Sequence, residues 1–141
     1  MRRSLLLVIG FVAAAATAEA RSEKAVGWDM RKVFPTAVRF LRIDERATIV
    51  EKDAEAGYVL FEITDEGKRF RGALELVRLE ANGRETVRLV VTIEDRPEYV
   101  EVGMLDRLER KLRKEYGNPP APPPKEPPAK KEPPPAKSAT D

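Results

Sequence analysis

Between residues 70 and 93 the chain alternates apolar and polar residues on both sides of Asn82-Gly83, and this pattern constrains the fold more than any other. Phe70, Leu74 and Leu76 recur at even spacing before the pair; Val87, Leu89, Val91 and Ile93 recur in the same way after it. Asn and Gly tolerate the positive φ angles of a tight turn, so the two runs are predicted to form one long antiparallel hairpin. Successive side chains point to opposite faces of a strand. One face is therefore apolar, and the other carries Arg71, Glu75, Arg88 and Thr92.

Two shorter runs precede the hairpin. Residues 47–53, with Thr48, Ile49 and Val50, read as a strand, and residues 58–64 as a second. In the second, Val59, Phe61 and Ile63 share one face while Tyr58, Leu60, Glu62 and Thr64 share the other. That leaves Tyr58 and Leu60 as a second apolar strip, which either marks a contact surface or lies under a helix. Asp53-Ala54-Glu55-Ala56-Gly57 and Asp65-Glu66-Gly67-Lys68 supply the turns. Strands joined by such short turns pair antiparallel, giving a four-stranded meander.

Helical spacing flanks the meander. Val33, Phe34, Ala37, Val38 and Leu41 form one stripe, in a helix starting between Asp29 and Phe34 and ending near Arg42. Pro35 suits a first turn, which favours a start near Arg31. A second helix is expected over residues 95–116, with Asp95 and Glu98 as a capping box and Pro97 in its first turn. Tyr99, Met104, Leu105, Leu108, Leu112 and Tyr116 form its stripe, and Gly117 ends it. The predicted fold class is α+β, in the order α-β-β-β-β-α, a four-stranded antiparallel meander packed against two helices. Leu105, Leu108 and Leu112 are expected to pack on Val87, Leu89 and Val91.

The ends are of different material. Residues 1–20 read as a signal peptide: Arg2 and Arg3 lead, residues 5–16 are apolar, and Ala18-Glu19-Ala20 gives the small-x-small cleavage pattern. The other reading is an uncleaved anchor, for which the apolar run is short of the roughly 20 residues a span needs. Residues 21–27 are expected to be a linker and residues 28–117 the folded domain. Residues 118–141 hold ten of the chain's 12 prolines, interleaved with Lys and Glu, and no apolar residue larger than alanine. Such a tail is expected to be extended and disordered. Its P-x-x-P spacings, such as Pro124 to Pro127, are those of polyproline ligands, although a semi-rigid spacer is the simpler reading. The expected location is periplasmic or secreted.

Composition removes several chemistries. The chain has no cysteine and no histidine, which excludes disulfides, thiol nucleophiles, Cys/His zinc sites and histidine general bases. Lys plus Arg number 26 against 24 acidic residues, a net charge of +2 that gives no case for nucleic acid. The acidic pairs Asp44/Glu45, Asp65/Glu66 and Glu94/Asp95 fall at element boundaries, where carboxylates cap helices and build turns. Asp53-Ala54-Glu55 lacks the dense oxygen pattern of a calcium loop. Lys68, Arg69, Arg71, Arg84 and Arg88 could form a basic patch. The interleaved Glu62, Glu75, Glu80 and Glu85 instead describe a mixed, solvated sheet face. No catalytic, cofactor-binding or metal-binding residue is assigned.

The run Val33-Phe34-Pro35-Thr36-Ala37-Val38, followed by Ile49-Val50-Glu51-Lys52-Asp53 and Gly57-Tyr58-Val59, resembles a motif of small bacterial envelope domains. It is similar to the repeated domains of the outer-membrane assembly lipoprotein BamC and of several uncharacterised lipoprotein families, in which a helix with an aromatic residue precedes a hairpin. That resemblance implies a non-enzymatic accessory or interaction module, though this chain lacks the lipid-bearing cysteine. The Lys-Glu-Pro-Pro character of the tail is similar to the periplasmic spacer of TonB-type transducers. The leading expectation is an exported, non-catalytic interaction or assembly module of the cell envelope, its partner an envelope protein or an anionic envelope polymer. The alternatives are a carrier of a small apolar ligand between the sheet and the long helix, and a carboxylate-based hydrolase.

Overall fold

The computed structural model describes residues 21–81 and 83–121. The expected signal peptide at 1–20, Asn82, and the tail beyond Ala121 lie outside them. The elements follow in the order β1 (Ser22–Val26), α1 (Met30–Arg39), a π-helical segment (Phe40–Asp44), β2 (Thr48–Asp53), β3 (Tyr58–Asp65), β4 (Lys68–Ala81), β5 (Arg84–Ile93) and α2 (Glu98–Tyr116). This is the expected α+β class. The predicted meander β2 to β5 and both helices are present.

The long hairpin forms as its alternation dictates. Leu74 lies opposite Val91, Leu76 opposite Leu89 and Ala81 opposite Arg84, leaving a two-residue turn in which Gly83 has φ +72°. At the other end of β4, Glu66 and Gly67 both take positive φ in the turn that pairs Asp65 with Lys68. Asp53 builds the earlier turn. Its Oδ1 accepts from the backbone N–H of Glu55 and of Ala56, both at 2.8 Å, and Gly57 follows at φ +76°.

The sheet has five strands, in the order β1-β5-β4-β3-β2, not four. Residues 22–26, read as linker, pair antiparallel with β5, Ser22 opposite Val91 and Val26 opposite Val87. Their sequence hid this because two of the three inward positions, Ser22 and Lys24, are polar. Both find partners on α2. Ser22 Oγ donates to Glu101 Oε2 at 2.8 Å, and Lys24 Nζ meets Asp106 at 2.7 Å and also Glu109.

Helix ends differ from expectation as well. Asp29 caps α1, its Oδ1 accepting from Lys32 N–H at 3.2 Å, so the helix starts at Met30 and Pro35 lies beyond the first turn. The last turn widens to i→i+5 bonding, with Glu45 N–H donating to Phe40 C=O at 3.0 Å, and both Phe40 and Leu41 are buried. The capping box at Asp95 does not form. Asp95 sits at φ +56°, and Pro97 precedes the helix with no side-chain cap. Among the described residues no helix is long and apolar enough to cross a membrane.

Both helices contribute to one core on one face of the sheet. Val33, Ala37 and Leu41 of the first helical region join Met104, Leu105, Leu108 and Leu112 of α2 over Val59, Leu74, Val87, Leu89 and Val91. The expected packing of Leu105, Leu108 and Leu112 in one core with Val87, Leu89 and Val91 is what forms. Phe61 closes the layer by lying across Gly72, where a Cβ would overlap its ring. Tyr99 and Tyr116 are the exceptions in the predicted stripe of α2. Tyr116 is 38% exposed and Tyr99 74%, the latter on the side of the helix away from the buried Glu101.

Candidate docking face

Register decides what remains outside. Opposed residues in an antiparallel pair share a face. With Leu74, Val91, Val59 and Phe61 turned to the helices, the other face carries Tyr58, Leu60 and Glu62 of β3 and Arg71, Ala73, Glu75, Val77 and Leu79 of β4. Thr86, Arg88, Val90 and Thr92 of β5 and Glu23 and Ala25 of β1 complete it. The helices are gathered on the opposite face, so the strip read in Tyr58 and Leu60 is not under a helix. The sequence showed the strip at β3. Its continuation through Ala73, Val77, Leu79 and Val90 needed the cross-strand register, which brings Ala73 opposite Leu60 and Val90 opposite Glu75.

The strip lies in relief. A depression of about 370 Å³ is lined by Val50, Leu60, Ala73, Glu62, Arg71 and Thr92, among others. A second, of about 490 Å³, shares Leu60 and Ala73 and extends past Gly57 to Val77. A register shift between Ile49 and Glu51 in edge strand β2 leaves Val50 61% exposed at one end of this groove. Between the sheet and α2, among the described residues, the core side chains are closely buried. Leu74, Leu76, Leu89, Leu105, Leu108 and Leu112 are each at most 3% exposed.

Charge is distributed unequally over the two sides. On the helix side, pairs are tight: Arg107 holds Glu45 through two bonds at 2.7 and 2.9 Å, Lys111 meets Asp44 at 2.7 Å, and Arg39 meets Glu115 at 2.6 Å. Hydrogen bonding from Lys24 holds the Asp106 carboxyl below its ordinary range, and the same contact, with Glu109, raises Lys24. On the open face Glu62 lies 4.0 Å from Arg69 and from Arg71. Among the described residues no salt bridge within 4.0 Å engages Glu23, Glu75 or Arg88, and the buried Arg88 Nε has no hydrogen-bond partner.

The residues singled out for chemistry are placed as follows. Asp44 and Glu45 are tied to α2, and Asp65 to Arg96 at 2.8 Å, whose guanidinium also stacks 4.7 Å from the Phe70 ring centre. Asp53 is committed to its turn. Arg71 and Arg88 are interleaved with Glu62 and Glu75, so the open face is mixed in charge. Among the described residues no three His, Cys, Asp or Glu side chains gather as a metal site would require.

No protein-family model matches this sequence, and no curated protein matches it. Among solved structures, the crystal structure of TTHA0849 from Thermus thermophilus is similar at 14% identity, over 68% of this chain and 97% of that one, with a TM-score of 0.39. The crystal structure of Ara h 8.0201 is similar at 12% identity, over 67% and 97%, also with a TM-score of 0.39. At such identities and scores these similarities carry no argument about function.

Proposed function

We propose that this chain is an exported, non-catalytic interaction module of the bacterial cell envelope, and that it docks a protein partner on its open sheet face. One observation carries the reading. The apolar strip Leu60–Ala73–Val90, continued by Val77 and Leu79, lies on the sheet face opposite both helices. Apolar strips rimmed by polar side chains are the usual form of protein contact surfaces. The mixed charge around it favours a protein over an anionic polymer, which would call for a basic field. The signal-like residues 1–20 and the envelope-domain resemblance of residues 33–59 support the setting.

The test is in-cell cross-linking and recovery of the exported chain, comparing the native sequence with Leu60→Asp and with Ala73→Glu. Both substitutions lie away from the core, so folding is retained, which circular dichroism checks. Loss of a defined cross-linked partner in both variants is the expected result; unchanged capture overturns the reading. A second reading, a carrier for a small apolar ligand, is favoured by the two depressions. Its place is then the open groove, since side chains fill the space under α2. Native mass spectrometry showing a bound apolar molecule that Leu60→Asp abolishes would support it.

A further inference from the structure

We infer that the hollow between the β1–α1 junction and the tip of the β4–β5 hairpin seats a proline-rich segment of a partner protein. In the structure the chain's own Pro119, Pro120 and Ala121 hold that place. The hollow has a volume of about 250 Å³ and is lined by Gly27, Trp28, Lys32, Arg84, Glu85 and Pro120, among others. It shares no lining residue with the two depressions of the open sheet face, and the inference does not rest on them. Gly117, at φ +75°, ends α2 and lets the chain turn off the helix. Pro119 then packs onto Gly27, its Cβ 2.7 Å from where a Cβ on Gly27 would stand. Arg84 Nη1 donates to the carbonyl of Ala121.

Hydrogen-bonding capacity selects the ligand. Proline has no N–H, so a run of prolines offers carbonyl acceptors and no donor. A fitting site presents free donors beside an aromatic surface and keeps its own acceptors engaged. The hollow meets both conditions. Asp29 Oδ1 accepts from Lys32 N–H at 3.2 Å, and Glu85 Oε1 from Met30 N–H at 2.8 Å, so each carboxylate already serves the backbone. Donors are in surplus. Trp28 is 3% exposed, and its Nε1, a donor only, has no hydrogen-bond partner among the described residues. The same two carboxylates count against a small anion, which would meet Asp29 and Glu85 as well as Lys32 and Arg84.

The resident segment is an incomplete ligand. It packs on Gly27 and receives Arg84, yet Trp28 Nε1 stays without an acceptor, and a buried donor left unpaired is costly. A partner's proline segment that brings a carbonyl to Trp28 gains that bond. Its preset φ also leaves little entropy to lose on docking. Tethering opposes the exchange, because it keeps the resident segment at roughly millimolar effective concentration. The seat is therefore closed to weak proline ligands and open to those that fill it better.

Trp28 is the chain's only tryptophan, so its indole N–H gives a single resonance to follow. The chain from Arg21 to Asp141 is titrated with hexaproline while that resonance is recorded. The expected result is a saturable shift, with an affinity roughly tenfold tighter in Pro119→Gly/Pro120→Gly, the factor for a site otherwise held about 90% of the time in cis. Adding Gly27→Ala to that variant is expected to abolish the response. Its Cβ would stand against a seated proline, and Gly27 is not among the positive-φ glycines that alanine would strain. Leu60→Asp is expected to leave the response unchanged. No shift in the Pro119→Gly/Pro120→Gly chain overturns the inference, and so does an undiminished response with Gly27→Ala. A response that Leu60→Asp abolishes would put the peptide on the open sheet face instead. An equal shift with inorganic phosphate would make the hollow an anion site and overturn the inference as well.

Discussion

At the scale of single residues, Glu101 shows how one side chain joins distant parts of the fold. It is 4% exposed, yet its carboxylate accepts from Ser22 Oγ at 2.8 Å and from Ile93 N–H at 2.7 Å. The helix start, the end of β5 and the start of β1 thus meet on one group. Glu101→Ala leaves a hydroxyl and a backbone N–H buried without partners, each costing about 1–3 kcal/mol. Chemical denaturation is expected to show a loss of roughly 2–4 kcal/mol, while Glu101→Gln, which keeps an acceptor and adds a donor for Ser22, loses less. Equal losses in the two variants would show that packing, not hydrogen bonding, is what the carboxylate supplies. Sequence offered no sign of this role: a glutamate within an otherwise apolar face reads as surface.

At the scale of elements, β1 is tied to α2 by charge as well as to β5 by strand pairing. Its inward Lys24 bonds Asp106 and Glu109 on α2. The hydrogen bond from Lys24 lowers the Asp106 carboxyl from its ordinary 3.8, so this contact stabilises the fold above that pH and is lost as pH falls through the lowered value. On the basic side Lys24 is raised from 10.5, so its share is present below that pH and lost as pH rises through the raised value. Lys24→Met is therefore expected to flatten both limbs of the stability–pH profile measured by thermal melting. A profile of unchanged shape would refute the ionic tether. The meander was readable because apolar alternation and turn residues agree over residues 47–93. The strand at 22–26 was not, because a polar inward residue needs a partner 82 positions away to make sense.

For the whole molecule, export is the reading with the plainest test. Mass analysis of the chain recovered from outside the cytoplasm of a bacterial host is expected to give Arg21 as the first residue. Retention of residues 1–20 would favour the anchor. Cleavage there leaves β1 intact, since its pairing begins at Ser22. The sequence by itself determined the elements whose signals are local: the turn over residues 53–57, the hairpin joining the runs before and after Asn82-Gly83, the Met104, Leu105, Leu108 and Leu112 stripe of α2, and the chemistries removed by having neither cysteine nor histidine. Each depends on residues within a few positions of one another, or on simple composition. Only the tertiary structure decided that residues 22–26 complete the sheet, that both helices choose the same face, and that Leu60, Ala73 and the nearly buried Val90 share the face opposite them. Those facts depend on register between strands and on which face is already filled. Long-range pairing of that kind leaves no periodic trace in any single stretch of chain.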